Sequence, residues 1–124
     1  MTPSSGERDV IFKTFGRAFF KQNLDLMYTA VTPDFTWTIQ DGDTVRVLDS
    51  RERIAAFFDE RRGRFKNVRF EDVVFHHAPD ATFMTYRMSG TEAASGKTFA
   101  RVGIERYTFR DGMLTEKDVY SRPI

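Results

Sequence analysis

KTFARVGIERYTFRDGMLTEKDVYSR, residues 97–122, is the stretch on which the fold turns. Phe99, Arg101, Gly103, Glu105, Tyr107 and Phe109 recur at every second position, with Thr98, Ala100, Val102, Ile104, Arg106 and Thr108 between them. A period of two sustained this long predicts a strand with two distinct faces. Arg110-Asp111-Gly112 then supplies a turn, since glycine accepts positive φ without steric cost. Met113 to Tyr120 returns as the partner strand. One face mixes aromatic rings with Arg101 and Glu105, a combination that a plain surface strand does not need. That face is expected to line a concave, mostly apolar pocket.

At 124 residues the chain reads as one domain over 1–124, large enough to bury roughly two-thirds of its unfolded surface. Thirteen phenylalanines bias its core toward stiff aromatic walls of the kind that surround preformed cavities. A net charge of +1 argues against electrostatic capture of nucleic acid or of an anionic membrane. With no cysteine, disulfides and thiolate-ligated zinc are excluded. No apolar run approaches the ~20 residues that span a bilayer. Because MTPSSGERD is polar, it is not a signal peptide. These features read as a soluble, cytoplasmic protein.

Working outward, residues 1–5 read as a disordered lead-in, with Ser4 or Ser5 available to cap a helix. From Glu7 to Gln22, Ile11, Phe15, Ala18 and Phe19 fall at helical spacing. Val10, Phe12 and Phe20 widen that stripe, so the helix is expected to be buried over much of its girth. Gly16 inside it suggests a close backbone contact. Asn23 caps a short second helix, Leu24 to Ala30, which Thr32-Pro33-Asp34 stops. Phe35, Trp37 and Ile39 alternate with polar residues as a strand, and Val45 to Leu48 returns after a turn. Asp49 or Ser50 caps a third helix, with Glu52 in a capping-box arrangement after Asp49, and Gly63 ends it. Val68–His77 and Ala81–Thr91 are the next two strands, with Phe83, Thr85, Arg87 and Ser89 placed on one face. Helices segregated against a meandering, mostly antiparallel sheet indicate the α+β class.

The chain resembles the nuclear transport factor 2-like superfamily, in its SnoaL-like and ketosteroid isomerase-like branch. Phe19-Phe20-Lys21-Gln22-Asn23-Leu24-Asp25-Leu26, Val31-Thr32-Pro33-Asp34-Phe35-Thr36-Trp37 and Tyr107-Thr108-Phe109-Arg110-Asp111-Gly112-Met113-Leu114-Thr115-Glu116 carry the likeness, which covers residues 7–122. It implies a cone-shaped α+β barrel, with a curved sheet wrapped around three helices of the N-terminal half and an internal pocket. It also implies homodimers formed through the outer sheet face. Activities in this branch include isomerisation, cyclisation, epoxide hydrolysis and dehydration, so fold does not fix function.

Carried over position by position, the isomerase base falls on Ile39, with Gln40 and Asp41 one and two residues late. The helical oxyanion tyrosine falls on Phe15, and the second oxyanion acid falls on Glu105. The arginine of the epoxide hydrolases matches Arg87. One of its flanking acids is replaced by Ser89, and the other falls at Val119, or at Asp118 after a one-residue shift. Neither mechanism transfers whole.

Glu105 is the leading acid/base, because a carboxyl facing an apolar cavity is poised for proton transfer. Arg87 and Arg101 are expected to orient it or to stabilise developing negative charge. An arginine–glutamate pair that merely satisfies itself within the sheet is the competing reading. Asp118 is a further candidate: alternation groups it with Leu114 and Glu116, whereas the family register aims Lys117 inward. The wall is assigned to Phe15, Phe19, Tyr28 and Phe58 from the helices and to Trp37 and Ile39 from the first strand. Phe83, Thr85, Ser89, Gly103 and Tyr107 complete it from the long strands. At most one of His76 and His77 can enter, since neighbours on a strand point to opposite faces. Ile54, Phe57, Phe58 and Arg61 mark the packed side of the third helix, and the basic run Arg61-Arg62-Gly63-Arg64-Phe65-Lys66 reads as a solvated helix end that complements the helix dipole. No metal site and no cofactor is called for. The expected partner is a small apolar molecule bearing a carbonyl, hydroxyl or epoxide, acted on by acid–base chemistry or bound without reaction.

Overall fold

The computed structural model describes residues 2–124, apart from the side chain of Asp41. Met1, part of the lead-in expected to be disordered, lies outside the described residues. Helix α1 spans Ser5–Lys21, and Ser4 is its N-cap in a full capping box with Glu7. Gln22 closes it in the left-handed conformation, φ 52°, donating back to the carbonyls of Ala18 and Phe19. After the four-residue α2 (Leu24–Met27), capped by Asn23, come β1 (Val31–Asp41) and β2 (Thr44–Leu48). Helix α3 (Arg51–Arg64) leads into β3 (Phe65–His77), β4 (Thr82–Glu92), β5 (Thr98–Arg110) and β6 (Met113–Pro123).

The six strands form one sheet in the order β2-β1-β6-β5-β4-β3. Every pairing is antiparallel except β1 with β6. The hairpin of residues 97–122 forms as expected. Asp111 (φ 54°) and Gly112 (φ 75°) both take positive φ, the geometry that a two-residue turn between right-twisted strands needs. The sheet is open, with β2 and β3 as its edges, and it curves over α1 and α3 as a cone.

Bulges supply part of that curvature. In β3 the register against β4 shifts near Asn67 (φ 55°) and near Asp72 (φ 54°), which bends the strand. In β6 one residue is inserted: Thr108 pairs with Glu116 while Phe109 pairs with Leu114. That insertion puts both Leu114 (0% exposed) and Lys117 (3% exposed) on the inner face. Strict alternation across the bulge therefore fails for this strand.

The core gathers Phe12, Phe15 and Ala18 of α1, Phe35 and Trp37 of β1, and Ile54 and Phe58 of α3. Three local expectations are corrected. Val10 and Phe20 stand in solvent, so α1 is one-sided rather than buried around its girth. At Gly16 a β-carbon would meet open space, with no heavy atom within 4 Å, so no close contact explains the glycine. Ser50, not Asp49, caps α3, which leaves Arg53 at the third position and makes no box with Glu52.

Nothing in the sequence singles out Arg8, yet it is buried. Its Nε donates to the Pro3 carbonyl at 2.9 Å, and its guanidinium reaches the carbonyls of Ala78 (2.6 Å), Pro79 (3.0 Å) and Ala81 (3.2 Å). It thereby fastens the β3–β4 turn to α1. A second tie is exposed: Arg110 at the hairpin tip forks onto Asp34, with one arm at 3.0 Å.

The Arg110 hydrogen bonds hold the Asp34 carboxyl down from its ordinary 3.8 to about 2. Because the folded value is depressed, the stabilisation is complete above the unfolded value and is lost as pH falls through about 2. An NMR titration should place the Asp34 midpoint near 2. Arg110→Gln should return it toward the ordinary value; an unchanged midpoint would refute the assignment.

Candidate functional site

The inner face of β5 carries Arg101, Gly103, Glu105 and Tyr107 as expected. Its neighbours decide what they meet. Across β4 these residues pair with Met88, Tyr86, Met84 and Thr82 respectively. Across β6, Tyr107 pairs with Lys117 and Glu105 with Val119; across β1, Lys117 pairs with Trp37. Two cavities open onto this face. The first, about 400 Å³, lies between the sheet and α3 and is bordered by Trp37, Ile39, Phe57, Arg61, Tyr86 and Arg101. The second, about 320 Å³, runs along α1 past Phe15, Gly16 and Tyr107. They share Phe19, Phe70, Glu105 and Lys117. The Phe19 and Phe70 rings, edge to face at 6.0 Å, stand between them.

Glu105 and Lys117 form the common floor. Lys117 Nζ lies 3.4 Å from Glu105 Oε1, and the two side chains are only 6% and 4% exposed for the glutamate and the lysine. The Tyr107 hydroxyl donates a short hydrogen bond to the same oxygen, and Tyr86 is hydrogen-bonded to Glu105 from the side of the first cavity. The ammonium sits over the rings of Trp37 (4.0 Å), Phe19 (4.8 Å) and Phe15 (5.0 Å), whose negative faces favour a cation. Burial pushes the Lys117 amine down, against the upward pull of Glu105. Burial, and then the Glu105 charge, push the Tyr107 and Tyr86 hydroxyls up. The site thus holds a carboxylate surrounded by donors, with aromatic walls in place of water.

Most expected residues stand at or beside this floor, with different partners from those anticipated. Glu105, Arg101, Trp37, Ile39 and Phe19 border the first cavity, while Phe15 and Tyr107 border the second. Gly103 lies on the inner face and makes room for Tyr86. The expectation for Arg87 is corrected. It is exposed on the outer face, paired with Val102, so it cannot share a hollow with Glu105. Phe83, Thr85 and Ser89 go with it, because the inner face of β4 is Thr82, Met84, Tyr86 and Met88. Asp118 also faces outward, 3.7 Å from Arg106. Phe58 is sealed in the core against Trp37 and Phe19, and Tyr28 lies beneath Arg51; neither borders a cavity. Neither histidine enters: His77 bridges Thr82 and Asp9, and His76 meets Thr85. Arg87 therefore takes no part in the chemistry of this face.

Tyr86 and Phe70 border the site without having stood out in the sequence, and Arg61, expected on the packed side of the third helix, joins them there. For Tyr86 a signal existed in its cross-strand partner. A β-carbon on Gly103 would come within 2.5 Å of the Tyr86 ring, and one on Gly90 within 2.8 Å of Phe99, its own partner. An inward glycine in a strand leaves a hole that an aromatic ring opposite can fill.

A family model for the SnoaL-like domain matches residues 12–117. The chain belongs to that family. Solved structures agree on the fold. A nuclear transport factor 2-like protein from Burkholderia xenovorans LB400 superposes with TM-score 0.83 at 16% identity, covering 95% of this chain and 91% of that one. A candidate polyketide cyclase from Xanthomonas campestris pv. campestris gives 0.74 at 16%, covering 93% and 90%. A protein with a ketosteroid isomerase-like fold from Catenulispora acidiphila DSM 44928, in complex with trimethylamine, gives 0.72 at 18%, covering 97% and 86%. No curated protein matches the sequence significantly. At these identities the likeness concerns fold alone. No helix of the SnoaL-like domain, among the described residues, is long and apolar enough to cross a membrane.

Gly103→Ala tests the packing beneath the site. The Tyr86 ring is buried and held by Glu105, so it cannot swing away cheaply. The substitution should cost about 1–3 kcal/mol in denaturant unfolding, and adding Tyr86→Leu should recover part of the loss. Full stability of Gly103→Ala alone would contradict the contact.

Proposed function

We propose that this SnoaL-like domain takes a small apolar molecule bearing a carbonyl, hydroxyl or epoxide oxygen into the first cavity and acts on it by acid–base chemistry. One observation carries this reading: a buried carboxylate–ammonium pair forms the floor of a cavity walled by Phe19, Trp37, Phe57 and Tyr86. Such a pair adds little to stability compared with apolar residues of the same volume. Its value therefore lies in what it can do for a ligand. The Lys117 ammonium, which has protons beyond the one aimed at Glu105, is the donor for the substrate oxygen, where it stabilises negative charge as it develops. Glu105 takes a proton from the neighbouring atom and returns it after rearrangement. The names carried by neighbouring folds, polyketide cyclase among them, belong to the same broad chemistry of small molecules.

A second reading has its own support. Glu105 already receives Tyr107, Tyr86 and Lys117, so its oxygens are occupied by the protein's own donors rather than turned to a ligand. That favours a module that binds a ligand without turning it over. We further assign self-association to the outer sheet face, where Ile104 and Tyr120 are 47% and 53% exposed. Sedimentation velocity of Ile104→Asp against the unaltered chain checks this; identical monomeric behaviour of both would remove it.

Glu105→Gln and Lys117→Met separate catalysis from binding on a substrate found by screening. Each should lower kcat by about 100-fold or more, the scale of positioned acid–base catalysis, with folding verified by circular dichroism. Undiminished turnover would remove Glu105 as the acid/base. Binding without turnover across the screen would establish the second reading.

A further inference from the structure

Among the described residues, the charged side chains around the first cavity are mostly basic. Arg61, Arg64, Arg101 and Lys117 border it, against the carboxylates of Glu92 and Glu105. Lys117 and Glu105 neutralise each other, and Arg101 is already engaged, in part with Ser121 at 3.1 Å, which sets Arg61 and Arg64 against Glu92. Glu92 stands at the rim, within 3.5 Å of the Ser95 hydroxyl. The inner members of this set matter most, because charge at the rim is screened by water.

Arg61 is the decisive residue. It stands in the last turn of α3 and is largely withdrawn from solvent. Among the described residues its side chain has no hydrogen-bond acceptor and no ion-pair partner. Instead it lies over the rings of Phe19 (5.5 Å), Phe57 (5.7 Å) and Phe65 (5.8 Å), all of which border the same cavity. Aromatic faces take the flat sides of a guanidinium and leave its N–H rim available. Glu105 and Tyr86 act on it only through space, and burial disfavours its charge more than they favour it. A half-buried cation without an anion carries a desolvation cost that a ligand's anion would offset. A neutral ligand would leave that cost standing.

We infer that the cavity's ligand is an apolar molecule ending in a carboxylate, held by Arg61 in a forked contact while its body lies against Trp37, Ile39 and Phe57. The planar fork of a guanidinium matches two carboxylate oxygens, which adds orientation as well as affinity. The apolar body then points from α3 toward the sheet floor, where the Lys117 ammonium can donate to an oxygen. This deepens the reading of the cavity as a small-molecule site and rests on it.

Trp37 is the single tryptophan and borders the cavity, so its fluorescence reports occupancy directly. The ligands are 6-phenylhexanoate, its methyl ester and 6-phenylhexan-1-ol, titrated at about pH 7.5, where the acid is fully ionised, with calorimetry as a second readout. The acid should bind at least about tenfold more tightly than the ester or the alcohol. Arg61→Met should erase that margin, so that acid, ester and alcohol bind within about twofold of one another. Arg61→Lys keeps the charge but loses the fork, and should retain only part of the preference; it also serves if Arg61→Met does not fold. Equal binding of acid and ester, or a preference that survives both substitutions, would overturn the carboxylate assignment and leave the cavity reading intact. Failure of all three ligands to bind by either readout would overturn the cavity reading, and the carboxylate assignment with it.

Discussion

A carboxylate and an ammonium that share one dry pocket of space are the constraint on which this fold's interior depends. At 3.4 Å their attraction is roughly 5 kcal/mol at an effective dielectric near 20, while withdrawing each ion from water costs several kcal/mol. The pair alone comes close to breaking even. What tips the balance is its surroundings: two tyrosine hydroxyls on Glu105 and three aromatic faces beneath the Lys117 ammonium. Those partners come from α1, β1, β4, β5 and β6, so the polar floor ties the inner elements together. Removing one ion would strand the other, which makes the arrangement specific even though it is not strongly stabilising.

Space for the cavities arises from irregularity in the sheet. Positive-φ residues Asn67 and Asp72 bend β3, and the insertion in β6 turns Lys117 inward. Gly90 and Gly103 let Phe99 and Tyr86 lie across the inner face of β5 and β4. A flat sheet would press its inner side chains against α1 and α3 and leave no hollow. Here the Phe19–Phe70 pair divides the hollow between the two cavities.

Family membership does not import a mechanism. In place of the isomerase-type base and helical tyrosine, this chain has Ile39 and Phe15, neither of which can move a proton. Glu105 is retained, but its partners are Lys117 and two tyrosines, and the arginine that matches the hydrolase pattern lies on the opposite side of the sheet. The chemistry available is therefore that of a caged lysine–glutamate pair with a guanidinium across the cavity. Both catalysis and selective binding use such groups through the same contacts, differing in whether the contacts strengthen as a substrate reacts.

The fold class, the hairpin turn, the order of elements and the inward face of β5 were legible in residues 97–122 and in the helix caps. Each is set by local rules: period-two alternation, positive φ at Asp111-Gly112, and side chains such as Ser4 that satisfy free N–H groups. The inward face of β4 was not legible, because both of its faces carry an aromatic ring and Arg87 stands at the spacing of the hydrolase arginine. Lys117 stayed ambiguous for a different reason: a single inserted residue reverses a strand, and insertion is decided by the partner strand. Arg61 read both as part of the packed side of α3 and as one charge of a solvated helix end, and tertiary packing decided between them by setting it against three rings. The sequence by itself determined which segments form and which face of the central strand is chemical. Register, bulges and the meeting of distant side chains decided what that face confronts, because those depend on contacts between strands that no single segment encodes.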